Sequence, residues 1–595
     1  MPRLPNANGA NEADSNFRYN RRILMKHRSW LLVVLSAGVA LPQAPDLILY
    51  NGKIVTVNAR FEIAQALAVR GERIQAAGDN AGILKLAGAG TQRIDLKGKT
   101  VLPGLIDTHT HAGDAAMYEF DHEVPDMETI PDVLRYIESR AKALKEGQWI
   151  RVAQVFITRL KEQRFPTRQE LDRVAPRHPV YFSTGPDASL NSLALKLSGI
   201  DRNFEVRDGK PGRLEKDPKT GEPTGIVRSF ARFIRYEPGG RKASPADRES
   251  RLKMLMRDYN SVGITSICDR NADESGIETY RKLKEAGGSS CRVFLNLAVD
   301  AQSPIEKIRA RIEEAARSPL HRYDNMLWLR GVKVFLDGGM LTGSAYMLKP
   351  WGVSQVYSIT DPEYRGMRYI EPDKLYQIVR HSLANEMQPT AHSVGDGAVT
   401  ALVEAYERVN REKPVRSGRP CITHSNFMTL EAIRKMRDLG IVADLQPAWL
   451  ERDGATLLKQ FGHDRLRYFQ PYKTLQDHGV MVGGGSDHMQ KAGSFRSINP
   501  YNPFFGMWIM LSRVPRWSSA ALYPEERVTR EQAIRFYTIQ NAFLTFEEKE
   551  KGSLEAGKLA DLIVLREDIL TMREDLIPKI TVEATYLGGK LVHGN

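Results

Sequence analysis

The chain is poor in cysteine: 595 residues carry only Cys268, Cys291 and Cys421, far apart and without a Cys-x-x-Cys pair. That argues against a disulfide framework and against a cysteine-built zinc site. Nothing around the three marks a thiol nucleophile. No apolar run reaches the roughly 18 residues that read as a comfortable membrane span. Internal repeats and low-complexity segments are also missing. The formal charge of +13 is spread along the chain rather than gathered into a basic block, which favours solubility over nucleic-acid binding. What is present is ordinary globular composition, 42% hydrophobic and 26% charged, in a chain long enough for two or three structural units.

The amino end reads as an address. Arg21-Arg22-Ile23-Leu24-Met25-Lys26 precedes the apolar run from Trp30 to Leu41, and the small residues Gly38 and Ala40 suit a signal-peptidase site. The paired arginines resemble a twin-arginine signal; a start at Met25 would leave an ordinary secretory signal. Residues 1–44 are therefore expected to be an export signal, with the protein periplasmic or secreted. A cytoplasmic location is the alternative.

From Asp46 onward, DLILYNGKIVTVN, IAQALAVRGERIQAAG and TQRIDLKGKTVLPG are short β-rich runs punctuated by Asn-Gly, Arg-Gly and Lys-Gly, which are hairpin signals. GSLEAGKLADLIVL and TVEATYLGGKLVHGN repeat this pattern at the far end. Each piece is too small to bury its own face, so residues 45–100 and 545–595 are expected to complete one β-sandwich. Between them, apolar strands alternate with helix-length segments such as EPDKLYQIVRHSLANEM and TLEAIRKMRDLG. That alternation predicts a parallel α/β barrel or doubly wound sheet over 101–544. The turn-rich stretch of about 115–250 breaks the rhythm and reads as an insertion over one barrel end.

VLPGLIDTHTH places His109 and His111 two residues apart at the close of an apolar run. In a strand, Asp107, His109 and His111 share a face, and two neighbouring imidazoles can share a metal ion. Taken singly, the pair is as readily a polar strand end. LRGVKVFLDGG then sets Lys333 in an apolar strand, where burial would favour its neutral amine; a snorkelling lysine is the ordinary alternative. His392 and His424 close the short strands of QPTAHSVGDGAV and CITHSNF, positions where a hydrogen-bonded core histidine is common. Asp487 follows the glycine run of MVGGGSDH, where a helix N-cap would be usual. His488, beside it, would face the other way, and Asp337 and Asp396 read as partners of backbone N–H groups.

The order His-x-His, Lys, His, His, Asp, each at a predicted strand end, resembles the amidohydrolase superfamily over about residues 46–595. In flavour it is similar to amidohydrolase family 3, the N-substituted formamide deformylase-like metal-dependent hydrolases. The resemblance implies a TIM (β/α)8 barrel whose strand ends converge on one site, with the small β-sandwich built from both chain ends. It implies that His109 and His111 bind one divalent metal, His392 and His424 a second, and that Lys333, as a carbamate, bridges them. Two zinc ions per chain are the expected cofactor. Asp487 would be both ligand and general base, with metal-activated hydroxide attacking a C–N bond of an amide, formamide or N-acyl compound.

The chain departs from relatives at Thr423, where an acidic residue is frequent, and at GPDASLNSLAL, which lacks a frequent Asp-Gly-His. The aromatic run NPYNPFFGMWIM offers Tyr501, Phe504 and Trp508, with Phe505, as substrate-binding residues of an apolar pocket above the metals; packing of the loop alone is the equal alternative. The expected partner is a small-molecule substrate, with no nucleic acid, no stable membrane insertion after signal removal, and homo-oligomerisation left open. Two rival readings remain: a mononuclear deaminase on the same barrel, and a non-catalytic scaffold.

Overall fold

The computed structural model describes residues 43–184, 187–210 and 212–594; the predicted export signal, but for its last two residues, lies outside them. The middle of the chain forms an eight-stranded, all-parallel sheet. Its strands are β1 (Leu105–Thr110), β2 (Ile264–Ala272), β3 (Arg292–Ala298), β4 (Leu327–Phe335), β5 (Gln388–Ser393), β6 (Cys421–His424), β7 (Val442–Leu445) and β8 (Val482–Gly484), hydrogen-bonded in sequence order. Nearly every strand residue is buried, as continuous apolar runs covered on both faces require. Helices α1 (Pro245–Ser261), α2 (Glu274–Glu285), α3 (Ile305–Arg317), α4 (Pro372–Ala384), α5 (Asp396–Asn410), α6 (Leu430–Leu439) and α7 (Ala448–Phe461) return the chain between them, and α8 (Pro503–Ser512) follows β8. The predicted barrel is thus present.

Local chemistry is clearest in two of these returns. In α6, Ala432, Ile433, Met436 and Leu439 form the buried stripe of a 3.6-residue period. Thr429 caps its start by accepting the Ala432 N–H, and Gly440, at φ +69°, ends it. The α1 helix begins with Pro245 at its first position and a reciprocal Ser244–Asp247 capping pair.

The barrel seam is closed by the chain just past β8. Asp487 N–H donates to the His109 carbonyl at 2.7 Å and His111 N–H to the His488 carbonyl at 2.8 Å. The Asp107 carboxylate accepts the Ser486 hydroxyl at 2.6 Å and its N–H at 3.1 Å. Glycines permit the approach: a Cβ on Gly485 would sit 1.7 Å from Asp107 Oδ1, and one on Gly484 1.8 Å from the Leu445 carbonyl oxygen.

Two further sheets come from the chain ends. One orders Arg73–Gly78, Ala66–Arg70, Leu47–Tyr50 and Gln92–Asp95; the other orders Lys590–Gly594, Val582–Leu587, Leu562–Leu565, Thr100–Pro103, Lys53–Val55 and Ile63–Ala64. In the second, Val564 pairs with Val101. Leu47, Leu67, Val69 and Val101 from one end pack with Leu562, Val564 and Tyr586 from the other, so neither half buries its apolar face alone. Within the turn-rich stretch a five-stranded sheet forms in the order Arg213–Lys216, Pro223–Arg228, Asp187–Leu190, Val180–Thr184 and Ile150–Ala153. Among the described residues, no helix is long and apolar enough to cross a membrane.

Candidate metal centre

All β1–β8 carboxyl ends open on one side, and there the six predicted site residues gather. His111, Lys333, His392, His424 and Asp487 line a cavity of about 700 Å³, and His109 is buried against them. The Asp487 Oδ1 atom lies 3.1 Å from His111 Nε2 and 3.4 Å from His109 Nε2. Ligand atoms of these three residues all fall within 4.8 Å of one another. His392 and His424 sit ring against ring, with centroids 4.4 Å apart, and the His424 ring is 4.8 Å from that of His109. Two of the six have left-handed backbones, His424 at φ +77° and Asp487 at φ +57°. Such conformations cost non-glycine residues about 1–3 kcal/mol and collect at functional sites.

The histidine tautomers follow from their neighbours. His109 Nδ1 is 2.9 Å from Asp444 Oδ2, an acceptor, so this nitrogen carries the proton. Burial, then the charge of Lys333, holds the His109 pKa well below the usual value, so the ring is neutral. Its Nε2 is therefore a lone pair, buried without a hydrogen-bond partner and aimed at a carboxylate oxygen. Two facing lone-pair atoms call for a cation between them, and a His-His-Asp donor set suits a divalent metal. His424 is fixed in the same way, its Nδ1–H donating to Gln446 Oε1 at 2.8 Å while its ring stacks on Trp449 at 4.8 Å.

Burial, and then the charge of Arg270, lowers the Lys333 pKa. Its Nζ donates to Thr423 Oγ1 at 2.9 Å, and that hydroxyl donates to the Ala391 carbonyl at 2.6 Å. Thr423, singled out in the sequence as a departure, thus meets Lys333.

Burial pushes the thiols of Cys291 and Cys421 up to about 12 and 11, far from the thiolate a nucleophile needs. Asp337 accepts backbone N–H groups from Tyr346, Val394 and Gly395, and Asp396 accepts that of Leu348. His488 accepts from Tyr259 Oη–H at Nδ1, 2.6 Å away, and donates from Nε2 to the Gln490 and Lys491 carbonyls. Asp337 and Asp396 thus bind backbone N–H groups as their sequence context suggested, and His488 ties its loop to Tyr259.

The aromatic expectation needs correcting. Tyr501, Phe504 and Trp508 do not line the cavity. Tyr501 is buried with its hydroxyl bonded to Asp258 and Gly493 N–H, Phe504 is fully buried in the barrel core, and Trp508 stacks on Phe505. The run is a helix, α8, with Pro503 at its first position and Asn502 capping it; being apolar all round, it is buried. Phe156, Phe335, Leu341, Tyr369 and Trp449 supply the cavity's apolar wall instead. Sequence reading also missed Asp444, Gln446, Arg270 and Asn499. The signal for the first two was there: VADLQ sets Asp444 and Gln446 two apart at the end of an apolar strand, as THTH does with its histidines.

The sequence profile of the amidohydrolase family matches residues 92–593. The N-substituted formamide deformylase of Arthrobacter pascens is 28% identical over 564 residues, spanning 92% of this chain and 98% of that protein. The crystal structure of an uncharacterized metal-dependent hydrolase from Pyrococcus furiosus superposes with a TM-score of 0.62 at 22% identity, over 88% of this chain and all of that one. Atrazine chlorohydrolase TrzN from Arthrobacter aurescens TC1, complexed with zinc, superposes with a TM-score of 0.50 at 13% identity, over 92% and 95%. The profile match across most of the sequence makes the chain a member of the amidohydrolase family.

Proposed function

We propose that this protein is a metal-dependent hydrolase that cleaves a C–N bond in an amide, formamide or related N-acyl compound. The observation that carries this reading is the lone pair of His109 Nε2, buried, unpartnered and facing Asp487 Oδ1. His109, His111 and Asp487 would hold one divalent cation, and His392 and His424 a second. Lys333 would bridge the two after its Nζ bonds to the carbon of carbon dioxide and releases a proton. Zinc suits the donor set and is the metal in the TrzN structure. Bound there, such a cation lowers the pKa of water and polarises a carbonyl.

The chain's own groups do the rest. Asp487 takes a proton from the attacking water and returns it to the leaving nitrogen. Phe156, Phe335, Leu341 and Trp449 give the substituent on that nitrogen or carbonyl an apolar wall and exclude bulk water. The deformylase relative supports the amide or formamide class. Export by the amino-terminal signal belongs to the same proposal, and amino-terminal sequencing of the mature protein tests it.

One geometric fact favours a second reading, a mononuclear centre of deaminase type. Only His109, His111 and Asp487 converge as a three-ligand cluster among the described residues, while Lys333 Nζ bonds to Thr423. Metal content per chain separates the two: about two ions support the bridged centre and about one the mononuclear site. The functional test is turnover of N-formyl amines, N-acyl amino acids, cyclic ureides and aminated bases by metal-loaded protein. Asp487→Asn should abolish turnover with metal still bound; an active variant would remove Asp487 as the base. Lys333→Ala should lose metal.

A further inference from the structure

Asp487 is held from outside the metal ligands. Asn499 Nδ2 donates to the Asp487 backbone carbonyl at 2.7 Å and lies 3.3 Å from its Oδ2. On its other side, Asn499 Oδ1 accepts from Arg159 Nη1 at 2.9 Å. An arginine can only donate, so the amide has one permitted orientation: oxygen toward Arg159, N–H toward Asp487. Arg159 is fixed in turn. Its Nε and Nη2 form a fork on Asp453, at 3.2 and 2.7 Å, and Nη1 also donates to the Ile498 carbonyl at 2.6 Å. Thr158 Oγ1 donates to Asp453 Oδ1 at 2.8 Å. Arg159 is 6% exposed, Asp453 1% and Asn499 0%, so these bonds are largely shielded from bulk water.

The four residues come from four places: Arg159 from the turn Ile157–Arg159, Asp453 from α7, Asn499 from the loop before α8, and Asp487 from the barrel seam. We infer that Asn499 and Arg159 are positioning residues for Asp487, a relay through which the inserted segment sets the carboxylate that faces His109 and His111. The division of labour is specific. Oδ2 is engaged by Asn499, which leaves Oδ1 turned to the two imidazoles. The strained Asp487 backbone is pinned at both ends, its N–H on the His109 carbonyl and its carbonyl on Asn499. Phe156, three residues before Arg159, lines the cavity and lies under the Arg159 guanidinium at 5.6 Å. The segment that shapes the cavity wall therefore also aims the carboxylate.

This relay rests on the reading of Asp487 as ligand and base, and its test uses a separate readout. Zn2+ is titrated into chelator-stripped protein against a competing chelator. Asn499→Asp keeps the shape of the side chain and the acceptor for Arg159 but removes the donor to Asp487. It should weaken Zn2+ binding by about 10–100-fold, the size of effect seen when a partner of a ligand is lost, and because it also sets a second buried carboxylate beside Asp487 the comparison is made on protein shown to be folded at the temperature of the titration. Arg159→Lys keeps the charge against Asp453 but loses the fork, and should shift affinity in the same direction by less. Should Asn499→Asp fail to fold, Arg159→Lys decides alone. Zn2+ affinity equal to that of the parent in the folded variants would overturn the relay. With a substrate in hand, Asn499→Asp should lower kcat far more than it changes KM, and a KM-only effect counts against the inference. A Zn2+-binding parent with no C–N hydrolysis would sink the proposed function and leave the affinity comparison standing.

Discussion

Asp444 decides which nitrogen of His109 carries the proton. Its carboxylate accepts from His109 Nδ1, from the Thr108 hydroxyl at 3.0 Å, and lies 3.4 Å from Arg270 Nε. Asp444→Asn supplies an amide that can turn either its oxygen or its N–H to the ring, so the tautomer is no longer enforced. Zn2+ affinity should fall by about 10–100-fold, read by competitive titration; unchanged affinity would mean that Asp444 does not set the tautomer. The contrast with the ligand candidates explains what the sequence could reveal. His109, Lys333, His392, His424 and Asp487 are legible because each is a polar or ionisable side chain closing an apolar run, and barrel topology brings such positions together whatever their spacing. Asp444 closes an apolar run too, but its work is done by accepting hydrogen bonds, that from His109 across 335 positions, and Asn499 lies in a loop; which side chains such groups meet is not written in the local pattern. For Tyr501, Phe504 and Trp508 the structure realises packing rather than pocket lining, two outcomes that composition does not separate because an aromatic-rich loop and a buried apolar helix share it. The Asn502-Pro503 start distinguishes them.

At the scale of elements, the barrel seam depends on glycine more than on hydrophobic burial. Gly485→Ala would drive a methyl group into the Asp107 carboxylate, which already holds Ser486. The seam must then open, and the cost should be at least the ~1–3 kcal/mol of an overpacked core, measured as a lower denaturant midpoint. Because Asp487 lies two residues on, Zn2+ affinity should fall together with stability. An alanine variant as stable as the parent would show that the seam is looser than its contacts imply. Strand-helix alternation was readable because α4 and α6 carry clean 3.6-residue stripes between short apolar strands. The insertion's five-stranded sheet was not, because Pro223–Arg228 and Arg213–Lys216 are joined by the turn-rich KDPKTGEPTG, and neither is apolar enough to announce a strand.

The whole molecule is joined where barrel meets sandwich. Arg292, at the start of β3, forms a fork on Asp561, just before Leu562–Leu565, at 2.7 and 2.8 Å, and both are buried. Burial alone would raise the Asp561 carboxyl, yet the Arg292 charge and its hydrogen bonds, with the Gly588 N–H, hold it below the ordinary value. A depressed folded pKa stabilises fully above the unfolded value, about 4, and that contribution is lost as pH falls through the folded value. Arg292→Leu strands a buried charge and should cost about 3–5 kcal/mol at neutral pH. The gap between parent and variant denaturation midpoints should narrow below about pH 4; a gap constant with pH would rule out this linkage.

The sandwich shared by both chain ends also sets an order of events during synthesis. Thr100–Pro103, which leads straight into β1, has its antiparallel partner Leu562–Leu565 roughly 460 residues later. At usual ribosomal rates that partner emerges about 20–90 s after it. Until then Leu67, Val69 and Val101 lack the part of their packing that Leu562, Val564 and Tyr586 supply. The nascent chain must carry this open half-sheet through the making of the whole barrel, and its exposure to chaperones and to aggregation ends only with the last strands.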